Sequence, residues 1–265
     1  MKMNIHNETS RDIKFFAKSE IRLKILSELY NRPNNVRGIV KDTKITYSSV
    51  SSNISKLEQN NHVKKINNKY HISPMTEIYF QALMDFKNSA DLIRDYGGFW
   101  DNHDLNQLSV DCVKNITDLK DSKLIETTPI DIYRTHNTIK DHLMKSKSLK
   151  AIFPYLHPEY PQLIENILNK DGNVELIIPK SINSSITSGI DFKIRKNAFN
   201  NGKLKIYPID NDLKVYLTIC DESMSLGLFK NDGSFDQNRI LISENEKSQK
   251  WAKNLFEAIK GEVIE

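Results

Sequence analysis

Residues 46–73 read TYSSVSSNISKLEQNNHVKKINNKYHIS, and this stretch decides the architecture of the first third of the chain. Val50, Ile54 and Leu57 fall at i, i+4 and i+7, the spacing that stacks apolar side chains on one face of a helix. The opposite face carries Ser48, Ser52 and Ser55, flanked by Ser51 and Lys56, with Tyr47 in the first turn. Serine is a poor helix former, so propensity does not account for the row. Short hydroxyls, each able to donate and accept, let a helix backbone come close to a phosphate or a base edge. In the second half, Val63 to Ile66 and Lys69 to Ile72 read as two short strands. Asn67-Asn68 joins them, asparagine being a residue that tolerates the positive φ of a two-residue hairpin turn. Lys64, Lys65 and Lys69 then stand on or near the hairpin tip, where they can neutralise phosphates.

Upstream, Ser19 is placed to cap a helix running through Leu29, with Ile21, Ile25, Leu26 and Leu29 on one side. Asn31-Arg32-Pro33-Asn34 stops it, because proline cannot continue a helix. A short helix follows around Val36, Ile39 and Val40. Lys44-Ile45 makes a turn, and Thr46 is a cap candidate for the serine-faced helix. Three helices and a hairpin in this order make a winged helix-turn-helix, which seats its third helix in the major groove of double-stranded DNA. The candidate DNA contacts are Tyr47, Ser48, Ser51, Ser52, Ser55, Lys56, Lys64, Lys65 and Lys69.

The charge is divided in the same way. Residues 1–74 hold 14 Lys and Arg against 6 Asp and Glu, a net +8, whereas residues 75–265 hold 24 against 28, a net −4. The modest total of +4 thus conceals a basic module joined to an acidic one, an asymmetry that points to a nucleic-acid partner for the first segment. Two cysteines, Cys112 and Cys220, are too few for a disulfide scaffold or a four-cysteine zinc site, which suits a reducing cytoplasm. No apolar run approaches the ~20 residues of a membrane span, and the N-terminus lacks an apolar signal segment, so no membrane partner is expected.

Ser73-Pro74 opens a connector helix expected to reach Tyr96, where Gly97-Gly98 ends it. Met75, Tyr79, Ala82, Phe86, Ala90 and Ile93 form one apolar stripe along it, able to pack in a dimer seam or against the protein's own core. A winged helix reads two half-sites as a pair, which favours the homodimer. The expected domains are therefore 1–74, 75–98 and 99–265. The last reads as α/β: a strand at Leu149 to Phe153, a helix over HPEYPQLIENILNKDG, a strand at VELII and a polar helical stretch from Ser181 to Asn200. LKIYPI, Val215 to Cys220, Met224 to Phe229 and Arg239 to Ile242 follow as strands, before a final helix around Trp251, Leu255, Phe256 and Ile259. HDLNQLSVDCVKNI and DIYRTHNTIKDHLM are helix candidates on either side of a strand at Leu124-Ile125-Glu126.

SEIRLKILSELYNRP, TYSSVSSNISKLEQNNHVKK and KYHISPMTEIYFQAL resemble the winged helix-turn-helix of archaeal regulators of the ArsR-like and sugar-sensing TrmB-like kinds. Many of those place Arg or His inside the recognition helix. This chain has Ser52 and Asn53 there, so arginine readout of guanine is not expected from that helix. The strings FWDNHDL, LIETTPIDIY, HPEYPQL, VELIIPK, CDESMSLGLFKNDGSFD and WAKNLFEAIK resemble, in this order, methanogen winged-helix regulators with a "methanogenesis regulatory protein" middle domain. This resemblance spans nearly the whole chain and implies a transcription regulator; it carries over no ligand.

The effector domains of the related sugar-sensing regulators resemble the phospholipase D fold, so a degenerate version of that fold is implied for the C-terminal domain. Active members of that fold need His-x-Lys with an Asp five residues later. The only His-x-Lys here is His62-Val63-Lys64 on the hairpin, followed by Lys69, so a phosphodiesterase with the winged helix as an interaction module is the disfavoured alternative. No other hydrolase, phosphate-loop or Cys-x-x-Cys motif is present, and neither a catalytic residue nor a cofactor is expected. His103, His136, His142 and His157 lack metal-ligand spacing and read as isolated structural histidines, so no metal is expected. Tyr155, His157 and Glu159 follow a strand's carboxyl end, where ligand crevices of α/β sheets lie, and are the candidates for contact with an unknown small-molecule effector. HPEYP can equally serve only to turn the chain into the next helix, and the C-terminal domain can equally be a ligand-free oligomerisation unit.

Overall fold

A computed structural model describes residues 7–210 and 212–264. Contacts divide the chain into two compact units, Met1–Asn88 and Ser89–Glu265. The boundary falls inside the connector helix, whereas the sequence suggested boundaries at 74 and 98.

In the first unit the order is α1 (Asn7–Ala17), α2 (Glu20–Asn31), α3 (Val36–Thr43), α4 (Tyr47–Gln59), β1 (Val63–Ile66), β2 (Lys69–Ile72) and the start of α5 (Pro74–Asp95). Ser19 caps α2 by accepting from the Arg22 amide at 3.3 Å. Asn35 caps α3 through the Gly38 amide at 2.9 Å. Thr46 precedes α4 but does not cap it with its side chain, contrary to expectation; its hydroxyl donates instead to the Ser49 hydroxyl at 2.9 Å. Val50, Ile54 and Leu57 are fully buried with Ile25, Leu26, Leu29 and Ile39, so the period-3.6 pattern of α4 marks its core face. β1 and β2 pair antiparallel with Ile66 opposite Lys69, and Asn67 and Asn68 both take positive φ in the turn. Helix α1 was not anticipated from the sequence; its Phe16 joins this core and packs on His62 with ring centroids 4.6 Å apart.

The second unit adds α6 (Gly97–Trp100), α7 (Val110–Lys114), β3 (Lys123–Glu126), α8 (Arg134–Lys145), β4 (Ser148–Ile152), α9 (Tyr160–Asn169), β5 (Asn173–Pro179), α10 (Lys180–Ser188), α11 (Phe192–Asn200), β6 (Leu204–Ile209), β7 (Val215–Ile219), β8 (Met224–Leu228), β9 (Arg239–Ser243) and α12 (Glu246–Ile264). The strands form one seven-stranded mixed sheet in the order β3-β9-β8-β7-β4-β5-β6. β4, β5 and β6 run parallel, and the remaining neighbours are antiparallel. Alternation along the strands sends residues into two cores. Leu149, Ala151, Val174, Leu176 and Ile178 join residues of α8, α9 and α11 in one. Ile152, Ile177, Val215, Leu217 and Ile219 join Trp251, Leu255 and Phe256 of α12 in the other.

Three local expectations are corrected. Gly97-Gly98 does not end α5 as a left-handed cap: neither glycine has a positive φ, and both lie in the short helix α6. The stretch 181–200 is two helices, because Asp191 caps α11 by accepting from the Lys193 and Ile194 amides at 2.9 and 3.1 Å. HDLNQLSVDCVKNI condenses to the five-residue α7, capped by Ser109, and the start of a 3-10 turn.

Candidate functional site

The face of α4 opposite the core is open. Tyr47, Ser48, Ser52, Ser55 and Lys56 are exposed, Ser51 is half-buried, and Lys64, Lys65 and Lys69 are exposed on the hairpin. Lys65 lies over the Tyr70 ring, 5.6 Å from its centroid, so its stem is supported while its charge faces outward. Asn53 is not part of this open face. Its Oδ1 accepts from Arg22 Nε at 3.4 Å, and its Nδ2 donates to the Ser49 carbonyl at 2.9 Å. Arg32 is also spoken for, by Glu28 and Asp42 at 3.3 and 2.8 Å.

Along α5, Met75, Tyr79, Ala82, Phe86, Ala90 and Ile93 are all exposed, Phe86 to 71%. Ile78, 72% exposed, widens the stripe and was missed because it lies off the chosen spacing. Thr76, Phe80 and Leu92 are the buried residues of the same helix. The stripe is therefore not the helix's own core face.

The loop after β4 holds the third cluster. Tyr155 packs on Phe235 with ring centroids 4.8 Å apart, and burial pushes its phenol above the ordinary tyrosine range. His157 stacks on His136 of α8, centroids 4.0 Å apart and planes 28° apart. His136 Nε2 lies 2.5 Å from Glu159 Oε2, and Lys140, one turn along α8, bonds the other carboxylate oxygen. Hydrogen bonds and charge from Lys140 and then His136 hold the Glu159 carboxyl down at about 2. Burial, with His136 beside it, pushes the His157 imidazole below the usual histidine range. The expectation of isolated histidines is thus corrected for His136 and His157, which the fold brings together across 21 residues of sequence. His142 is elsewhere. His103 is buried, and its Nε2 lies 3.1 Å from Asp236.

A separate cavity of about 470 Å³ opens at the carboxyl ends of β4, β5 and β6, with Pro154, Lys180, Ser181, Asp210 and Lys214 in its wall. Lys180 is paired with Asp210 at 2.5 Å. Tyr155, His157 and Glu159 do not line it, although they follow the carboxyl end of β4 at the same edge of the sheet. The second wall comes from residues after β5 and β6, which carried no motif; a Lys and an Asp just past two successive strand ends were the available signal. Gly227 serves packing: a Cβ there would stand 3.1 Å from the Phe235 ring.

The two units are a winged helix and an α/β C-terminal unit. Residues 10–87 match the family described as methanogenesis regulatory protein FilR1, N-terminal domain, and residues 132–262 match the family described as methanogenesis regulatory protein FilR1, middle domain. It is 25% identical over 255 residues to the methanogenesis regulatory protein FilR1 of Methanothrix harundinacea (strain 6Ac), covering 92% of this chain. The chain spans 56% of the length of that relative. Among solved structures, the archaeal chromatin protein TrmBL2, whose description reports a novel mode of DNA binding, aligns over 97% of this chain and 99% of its own at 10% identity and a TM-score of 0.43. Pseudomonas aeruginosa HmgR aligns over 93% and 97% at 9% identity and a TM-score of 0.24. Scores at that level do not establish a shared fold. The matched family is regulatory rather than enzymatic, and nothing in these likenesses supports the phospholipase D-like reading of the C-terminal unit, which is set aside. Among the described residues, no helix is long and apolar enough to cross a membrane.

Proposed function

We propose that this chain is a cytoplasmic transcription regulator that binds double-stranded DNA as a homodimer and senses a small molecule or partner through its C-terminal domain. The observation that carries the reading is the two-sided α4: Val50, Ile54 and Leu57 fully buried on one side, and Tyr47, Ser48, Ser52, Ser55 and Lys56 open on the other. An open row of hydroxyls with a lysine-bearing hairpin beside it has the chemistry of base-edge and phosphate contact. Phosphate neutralisation by Lys64, Lys65 and Lys69 supplies affinity, and the short side chains of α4 supply close approach. The exposed stripe of α5 is the proposed dimer seam, since two copies are needed to read paired half-sites. An effector that favours one dimer arrangement would shift the half-site spacing and hence the DNA affinity.

Selection of bound sequences from a random duplex pool by the purified full chain tests this reading. Recovery of a two-fold-related consensus is expected. Recovery of no consensus, with binding indifferent to substitution of Ser48, Ser52 and Lys65, would refute it.

A further inference from the structure

We propose that His136, His157 and Glu159 form a binding site for one divalent transition-metal ion of the zinc, cobalt or nickel class. Each offers one donor atom, and the three donors lie within 4.8 Å of one another. They come from two separate places in the chain, the first turn of α8 and the loop between β4 and α9, so the cluster is not a by-product of helical spacing. All three side chains are half-buried, which excludes bulk water from one side and leaves the other open for an ion and a completing water.

Two imidazoles and one carboxylate are the donor set of a borderline divalent ion. Calcium and magnesium prefer oxygen ligands throughout, and a copper(I) site would draw on thiolate or thioether sulfur.

Lys140 is the proton-bearing stand-in for the metal. Its ammonium bonds one oxygen of Glu159 while the His136 ring lies against the other, so Lys140 already places a positive charge beside the carboxylate that the ion would bind. Metal entry displaces Lys140 toward solvent, and the residue competes with the ion for Glu159. His157 must also release the Glu159 backbone amide, which donates to its Nδ1 at 3.2 Å. That contact is long for a hydrogen bond and spans only two residues, so a small turn of the ring breaks it.

The site stands on the geometry of the C-terminal unit alone; its use as the effector site rests on the regulatory reading above. Untagged, chelator-stripped full chain titrated with cobalt(II) tests it, read by visible d–d absorption, with zinc(II) competition by calorimetry. Saturation at one ion per chain is expected. Glu159→Gln and His157→Ala should each weaken binding about 10-fold or more while leaving circular dichroism and melting temperature near wild type. His142→Gln should bind as wild type, and Lys140→Ala should bind more tightly because the competing ammonium is gone. Absence of saturable binding, or Glu159→Gln and His157→Ala binding like wild type, overturns the site; weaker binding by Lys140→Ala overturns the displacement. A parallel arm measures DNA affinity with and without zinc(II). DNA binding that ignores the ion removes the effector role, whereas absence of any DNA binding condemns the regulatory reading and leaves the cobalt titration to judge the site.

Discussion

Arg22 and Asn53 are joined across the first unit: Arg22 Nε donates to Asn53 Oδ1 at 3.4 Å, and the same guanidinium lies over the Phe15 ring, 4.1 Å from its centroid. The asparagine in the middle of α4 is therefore committed to the packing of α2 on α4. Asn53→Ala should cost about 1 kcal/mol of stability by removing a half-buried polar partner, with no change in the DNA sequences selected. Ser52→Ala, on the open face, should do the reverse: stability within about 0.5 kcal/mol of wild type and an altered base preference. Denaturant titration together with binding selection separates the two. A changed consensus for Asn53→Ala would show that its side chain leaves Arg22 to reach DNA.

The stripe on α5 makes a prediction about assembly. Phe86 and Ile78 are more than two-thirds exposed, so a charge at either leaves the core intact. Phe86→Glu or Ile78→Glu should convert a dimer into a folded monomer in sedimentation equilibrium and weaken binding to a two-site operator. Retention of the dimer in both variants would place the interface elsewhere.

His62 gives a pH dependence. It is buried beside Phe16, and its Nδ1 lies 3.0 Å from the Thr76 hydroxyl. Burial lowers its affinity for a proton, and Arg22 adds to this, while Asp12 opposes it. The unfolded chain therefore binds the proton first as pH falls through about 6.5, and stability present above that value is lost below it. Urea unfolding between pH 8 and 5 should show this decline for the wild type and a flatter profile for His62→Gln. Equal profiles would mean that His62 is solvated in the folded state.

Two glycines should respond oppositely to alanine. At Gly189, which closes α10, a Cβ would stand 2.7 Å from the Pro161 ring, so Gly189→Ala should cost about 1–3 kcal/mol through overpacking. At Gly97 nothing lies within 4 Å and φ is not positive, so Gly97→Ala should be neutral or stabilise by up to about 1 kcal/mol. Melting temperatures decide both.

The winged helix was legible because its signals are local. The spacing of Val50, Ile54 and Leu57, the Asn67-Asn68 turn and the Ser19 cap each act within a few residues, and each recurs in the fold. The strands after residue 148 were legible from short β-branched and leucine-rich runs. What stayed hidden was long-range. His136 and His157 meet only because α8 and α9 pack on the same sheet face, which no spacing rule encodes. The break between α10 and α11 depends on Asp191, whose amide also donates to Glu165 at 2.7 Å in a helix folded against it. Thr46 had the right chemistry for a cap, yet its hydroxyl accepts from no amide of α4 and donates to the Ser49 hydroxyl, a rotamer choice that no sequence pattern encodes.

The serine face of α4 and the lysines of the hairpin are together proposed to bind duplex DNA. This binding is tested most directly by the salt dependence of affinity for a selected operator, measured for the wild type and for the Lys64→Ala, Lys65→Ala, Lys69→Ala triple variant. A steep fall of log K with log salt is expected for the wild type, and for the triple variant a slope shallower by about one for each lysine that contacts a phosphate. Identical slopes for the two proteins, or a wild-type affinity indifferent to salt, would contradict it.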